Sequence, residues 1–182
     1  MEAELRERLA TDLDGGFEAL VRAFQHRLFA FAFAMSGNAA DAEEVAQDAF
    51  VRAHRALRRY DAERIRDLSL TAWLHRIALN AFRNRVRRRG ARLVPLLPEV
   101  ELADGSPGPE RQALARAELR ELAADLSRLP EQHRTAVVLR CVQGMSYADA
   151  ASLLGQPEGS VRSNVHRGLA ALRRRRELSE VS

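Results

Sequence analysis

Apolar residues recur along this chain at helical spacing. Leu20, Phe24, Leu28, Phe31 and Met35 follow one another at intervals of 4, 4, 3 and 4, which puts them on one face of an α-helix. The local alternation Phe29, Phe31, Phe33 would suit a strand, but the alanines between them and the longer period outweigh it. Ser36-Gly37-Asn38 is a helix stop. A second helix is predicted from Asp41 to about Leu57, with Val45, Ala49, Phe50 and Val51 among charges. Residues 58–69 are charged and less regular. A third helix is predicted from Thr71 to about Arg88, with Trp73, Leu74, Ile77, Ala78 and Phe82 on its apolar side and Gly90 ending it.

Residues 91–110 contain four of the six prolines and two of the ten glycines, the composition of a linker. Beyond it the helical pattern returns at Arg111–Leu129 and, after the Leu129-Pro130 break, at Glu131–Val142. Gly144 turns the chain. Ser146-Tyr147-Ala148-Asp149 has the form of a capping box with Asp in place of Glu, opening a short helix to Leu154. A turn over Gly155–Glu158 leads to a last helix, from Gly159 to about Arg174. No segment carries a convincing strand pattern. The predicted fold is all-α: two small helical domains, 1–90 and 111–182, joined by the Pro-rich linker 91–110.

Composition sharpens this outline. A length of 182 residues allows one ordinary domain or two small ones. The formal net charge is +4, and all 29 basic residues are arginine. High Ala and Arg content fits a GC-biased coding sequence, which replaces lysine everywhere. The distribution says more than the total. Residues 1–50 carry 4 Arg against 10 acids, whereas residues 51–92 carry 13 Arg against 3 acids. From Trp73 to Arg92 there are seven arginines and no acid. Such a block lacks the opposite charges that would pair along a helix and reads as a footprint for a polyanion.

Other classes drop out. The lone Cys141 excludes an internal disulfide framework and a cysteine metal cluster, and its apolar neighbours suggest a small buried hydrophobe. The longest apolar run, Leu28–Met35, is far short of the roughly 20 residues of a membrane span. The acidic N-terminal stretch is neither a secretory signal nor a transit peptide, so a cytoplasmic protein is expected. No Gly-rich phosphate loop, nucleophile elbow or histidine cluster occurs. The carboxylates of Asp41, Glu43, Glu44 and Asp48 share one helix with no complementary ligands. Neither an enzyme nor a metal or other cofactor is expected.

The C-terminal pattern is more specific. A helix of about nine residues, a Gly-containing turn and a longer basic helix form a helix-turn-helix, whose second helix enters the major groove. Val161, Val165, Leu169 and Leu172 share the face that would pack inward, and Arg162, Ser163, His166 and Arg167 share another. Arginine can grip both acceptors of a guanine, and serine can bond bases or phosphates.

Three ordered stretches carry a family resemblance: DAEEVAQDAFVRAHRAL at 41–57, TAWLHRIALNAFRNRVRRR at 71–89, and the segment 129–173 from LPEQHRTAVVLR to the last helix. Together they resemble the extracytoplasmic-function (ECF) sigma factors of bacterial RNA polymerase over nearly the whole chain. The resemblance implies that Asp41, Glu43, Glu44, Gln47, Asp48 and Phe50 bind the clamp of the largest polymerase subunit. It implies that the loop at about 61–69 captures a base flipped from the melted non-template strand at the minus-ten element, with Arg76, Asn80, Arg83 and Arg87 on the adjoining helix contacting DNA. Trp73 could stack on a base, but its continuity with Ile77 favours the core. Arg162, Ser163, His166 and Arg167 would read duplex DNA at the minus-thirty-five element, beside the flap of the second-largest subunit. An anti-sigma factor is the usual further partner. Two positions depart from the family pattern. Asn84 stands where relatives often have Asp, and Asn164 where they often have a second basic residue; asparagine favours adenine edges.

Two other readings fit parts of the pattern. A helix-turn-helix repressor or activator would bind a palindromic duplex without polymerase. An adaptor mimicking one sigma domain would bind polymerase without DNA.

Overall fold

The computed structural model describes residues 1–89 and 109–180. Residues 90–108, which hold Gly90, Arg92 and the predicted linker up to Gly108, lie outside the described residues; Pro109 and Glu110, also read as linker, are helical. Every regular element described is helical. The described residues divide into two units, residues 1–32 with 43–89, and residues 33–42 with 109–180.

The first unit is built on α2 (Leu13–Ser36) up to Ala32, α3 (Ala39–Leu57) from Glu43, and α5 (Leu70–Arg89); the end of α2 and the first turn of α3, with Asp41, fall in the second unit. Its core takes Leu20, Phe24, Leu28 and Phe31 from α2, as their spacing predicts. From α3 it takes Val45, Ala49, Ala53 and Leu57, and from α5 Leu70, Leu74, Ala78 and Phe82. Full burial of a Leu or Phe side chain contributes about 1.5–3 kcal/mol, so this spine dominates the unit's stability. Within it, His75 is fully buried. Its Nδ1 lies 2.7 Å from the Thr71 carbonyl oxygen, which requires the proton on Nδ1. The His75 ring meets Phe31 edge to face at 5.3 Å.

Two elements of this unit were not anticipated. The irregular stretch after α3 contains a short helix, α4 (Ala62–Arg66), anchored by buried Ile65. Asp61 caps it by accepting from the Arg64 N–H at 2.8 Å. Ahead of α2 stands α1 (Glu2–Thr11), which buries Leu5 and Leu9. Asp12 is extended between α1 and α2, and its carboxylate accepts from the Gly15 N–H at 3.2 Å. Gly16 lets the first turn of α2 press on α1. A Cβ there would lie 2.7 Å from the Leu9 Cα.

The second unit carries α6 (Pro109–Ser127), α7 (Glu131–Val137), α8 (Tyr147–Leu154) and α9 (Glu158–Glu180). The helix predicted to run to Val142 changes character at Val138, where a π turn (Val138–Val142) follows α7. Its closing bond runs from the Gln143 N–H to the Val138 carbonyl at 2.9 Å. The wider turn carries its own last residues outward. Cys141, expected as a buried hydrophobe, is exposed, and Val142 is 41% exposed. Ser146 caps α8 as its sequence suggests, accepting from the Asp149 N–H at 3.0 Å. Gly155 closes α8 in the left-handed region at φ 63°, which glycine enters without steric cost.

Candidate nucleic-acid interface

In the first unit the acidic face of α3 is outward. Glu43, Glu44 and Gln47 are exposed and Asp48 is half-buried, one turn apart along the helix. The face is held by arginines of the same unit. Arg52 grips Asp48, its Nε lying 2.9 Å from each carboxylate oxygen, and this contact raises the Arg52 pKa. Glu44 is bonded to Arg85 of α5. Val51 extends the face as an apolar spot, 48% exposed. The other two residues expected here lie deeper. Asp41 is buried at the start of α3, where its N–H bonds the Asn38 side chain at 3.1 Å. Phe50 is half-buried, with its ring edge-on to Phe17 at 6.4 Å.

On α5, Arg76, Asn80, Arg83 and Arg87 are all exposed. Their spacing of 4, 3 and 4 makes them one stripe down the helix. Arg85 is turned aside to Glu44 and does not belong to the stripe. Arg87 bonds the side chain of Asn84 at 2.8 Å.

At the N-terminal end of α5 the structure brings together a group that periodicity had concealed. Trp73 and Ile77 are half-buried rather than core, because the phase of α5 sends Leu74, His75 and Ala78 inward instead. The Trp73 ring lies 6.2 Å from Tyr60. The Arg64 guanidinium sits 3.7 Å over the Tyr60 face, a cation–π contact. Two aromatic rings thus gather beside α4, whose own Arg64 covers the face of one. Tyr60 and Arg64 fall in the stretch read as irregular, so only a helix assignment there would have aligned them.

In the second unit the helix-turn-helix is α8 followed by α9. Val161, Val165 and Gly168 are buried. Gly168 faces α7, and a Cβ there would meet the Val137 side chain at 2.6 Å. Arg162, Ser163, His166 and Arg167 are exposed together on the opposite side. Arg162 is held in place. Its guanidinium lies 4.4 Å from the Tyr147 ring centre and bonds Glu158 at 2.7 Å. Arg140 approaches the same ring at 5.1 Å. Tyr147 therefore links the π turn, α8 and α9. The sequence marked it only as part of the cap.

This arrangement can bind anions and base edges along α5 and α9 and offer a carboxylate face on α3. Among the described residues no helix is long and apolar enough to cross a membrane.

Two family profiles match the chain: Sigma-70 region 2 over residues 20–92 and Sigma-70, region 4 over residues 119–172. The chain is 36% identical to the ECF RNA polymerase sigma factor SigE of Mycolicibacterium smegmatis over 86% of its own length, spanning 60% of that relative. It is 37% identical to the ECF RNA polymerase sigma factor SigM of Mycobacterium tuberculosis, covering 92% of this chain and 82% of SigM. Two solved structures share the fold. CnrH in complex with the cytosolic domain of CnrY matches at TM-score 0.73 and 27% identity, over 97% of each chain. The sigma factor RpoE in complex with the anti-sigma factor NepR, from Bartonella quintana, matches at TM-score 0.68 and 25% identity, over 87% of this chain and 94% of RpoE.

Proposed function

The chain belongs to the ECF sigma factors of RNA polymerase, and from that premise we propose how its residues divide the work of promoter recognition. The protein is a promoter-recognising initiation subunit and not an enzyme; RNA synthesis belongs to the polymerase. The exposed face of α3, through Glu43, Glu44, Gln47 and Asp48 with Val51 beside them, takes a basic helix on the clamp of the largest polymerase subunit. Charge complementarity there sets register and the rate of encounter. Asp41 and Phe50 serve this face from beneath, by fixing the start and seating of α3.

The α5 stripe of Arg76, Asn80, Arg83 and Arg87 tracks the DNA backbone at the minus-ten element. The 61–69 loop, with the Tyr60–Arg64–Trp73 group, receives the non-template strand. Unstacking a base costs a few kcal/mol, and stacking on an aromatic face returns about 1–3 kcal/mol. Arg162, Ser163, His166 and Arg167 read the minus-thirty-five duplex, and the surrounding helices of that unit meet the flap of the second-largest subunit. The protein acts in the cytoplasm. By analogy with RpoE and NepR, an anti-sigma factor would cover these same surfaces.

The observation that carries this reading is the exposed quartet on α9, backed by a buried Val161–Val165–Gly168 face. The test is transcription by core polymerase with the protein added, on promoters found by sequencing RNA start sites. Arg162→Ala and Arg167→Ala should each weaken upstream-element recognition by about 1–3 kcal/mol while leaving core binding intact. Asp48→Ala with Glu44→Ala should weaken core binding instead. Tight binding to a palindromic duplex without polymerase would overturn the assignment in favour of a free-standing regulator.

A further inference from the structure

The helix α1 lies ahead of the stretch matched by the region 2 profile, which begins at residue 20. It nevertheless makes four polar ties to one short segment. The Glu2 carboxylate accepts from the Leu70 N–H at 2.7 Å and from the Thr71 hydroxyl at 3.1 Å. Arg6 donates to the Leu68 carbonyl at 3.4 Å. Glu7 holds Arg66 through two bonds, at 2.7 and 2.9 Å.

Each tie answers a local need. The first N–H groups of a helix have no partner within it, and a negative charge there is favoured by the helix dipole. The first turn of α5 contains no acid of its own. Glu2 supplies one from α1, satisfying the Leu70 donor directly. At the other end of the segment, α4 is only five residues long and cannot sustain itself as an isolated helix. Besides buried Ile65, the Asp61 cap and the Arg64–Tyr60 contact, α4 is tied down by Glu7 of α1 through Arg66. The buried Leu5 and Leu9 and the Gly16 contact seat α1 in turn.

We propose that α1 is a positioning element for strand capture, with Glu2 and Glu7 fixing where α4 and the start of α5 stand relative to the incoming non-template strand. The inference rests on the reading of residues 61–69 as the capture loop. Neither Glu2 nor Glu7 need touch DNA. They hold the segment bounded by Arg66 and Thr71 in one place before DNA arrives, so that its ordering is not charged against binding. Trp73 lies two residues beyond Thr71, and the cap also fixes the first turn from which it projects.

The test uses holoenzyme assembled from core polymerase and full-length protein. Its probe is the single-stranded non-template minus-ten sequence of a promoter mapped from RNA start sites, and a double-stranded upstream fragment serves as control. Glu2→Ala should weaken single-strand affinity about tenfold, with core binding and upstream-duplex binding unchanged. Glu2→Gln keeps an acceptor and should lose less. Glu7→Arg should weaken strand binding, and combining it with Arg66→Glu should restore it. Wild-type strand affinity in Glu2→Ala, or an equal loss of core, duplex and strand binding, would overturn the proposal. If the wild-type holoenzyme itself takes no single strand, the capture-loop reading fails and the brace falls with it.

Discussion

At the level of single residues, the decisive side chains are those whose partners preset them. Arg162 is the clearest case. It is the first candidate base contact on α9, yet Glu158 already occupies its guanidinium and Tyr147 lies against its face. DNA must therefore compete with a carboxylate four residues away. An exposed pair of this kind contributes between nothing and about 1 kcal/mol, so the competition is mild. Glu158→Gln should accordingly raise duplex affinity up to about fivefold and steepen its salt dependence, as fluorescence anisotropy across a salt series would show. Glu7 gives a pH-dependent counterpart. Its hydrogen bond and charge contact with Arg66 hold its carboxyl below the usual range. A depressed acid stabilises the folded state above its unfolded pKa, and that contribution is lost as pH falls through the folded value. The α1–α4 tie should therefore loosen in acid, below the ordinary glutamate range, and amide exchange at residues 62–68 should quicken there in wild type but not in Glu7→Gln.

At the scale of helices, periodicity located the long elements well. The Leu20–Phe31 face is buried where its spacing places it, and so are Val161 and Val165, whereas Leu169 and Leu172, predicted on the same inward face, are half-buried. It missed what spacing cannot encode. The α1 helix shows only Leu5 and Leu9 at i,i+4 amid charge, too short a run to stand out. The five residues of α4 carry one apolar anchor, Ile65, and its structure comes from partners distant in sequence. Trp73 was drawn toward the core by its neighbours, whereas three-dimensional phase set it at the boundary with Tyr60. Contacts between helices are also sharply bounded in tolerance. Gly168 lets α9 lie close against α7, since a Cβ there would overlap the Val137 side chain at 2.6 Å and press on the His133 carbonyl oxygen at 3.3 Å. Gly168→Ala improves helix propensity by about 1 kcal/mol but overpacks this crossing, at about 1–3 kcal/mol. The net expectation is a destabilised second unit and weaker upstream-duplex binding, read from a urea melt and from anisotropy, with single-strand binding untouched.

For the molecule as a whole, the +4 total conceals an acidic first segment followed by a basic one, and the structure turns that swing into surfaces. The exposed acids of α3 and the exposed arginines of α5 belong to the same unit, so one small body offers opposite charges to two kinds of partner. The roles proposed for these faces were legible from the sequence through the family resemblance. Which residues of each face are accessible was not, because Asp41 and Asp48 look alike until burial separates them. The all-arginine composition adds a chemical test. With no lysine in the chain, every permanently cationic side chain is a guanidinium, so under the proposed reading each ion-pair contact with phosphate would be made by a planar fork. Acetylating amines should leave promoter binding by holoenzyme almost unchanged when only this subunit is treated. An arginine-directed dicarbonyl should abolish it, with promoter DNA protecting.

The π turn after α7 ties the geometry of that short stretch to the setting of Arg162 on α9. It amounts to one residue more than an α-helix would use between Val138 and Gln143, and in an α-helix one residue is worth a rotation of about 100°. Removing one residue there would restore the regular helix but swing Arg140 away from Tyr147, and with it the cation that faces the ring on which Arg162 rests. If Arg162 reads bases as proposed, a single-residue insertion or deletion in this short stretch would re-aim that side chain from a turn about twenty positions upstream of it.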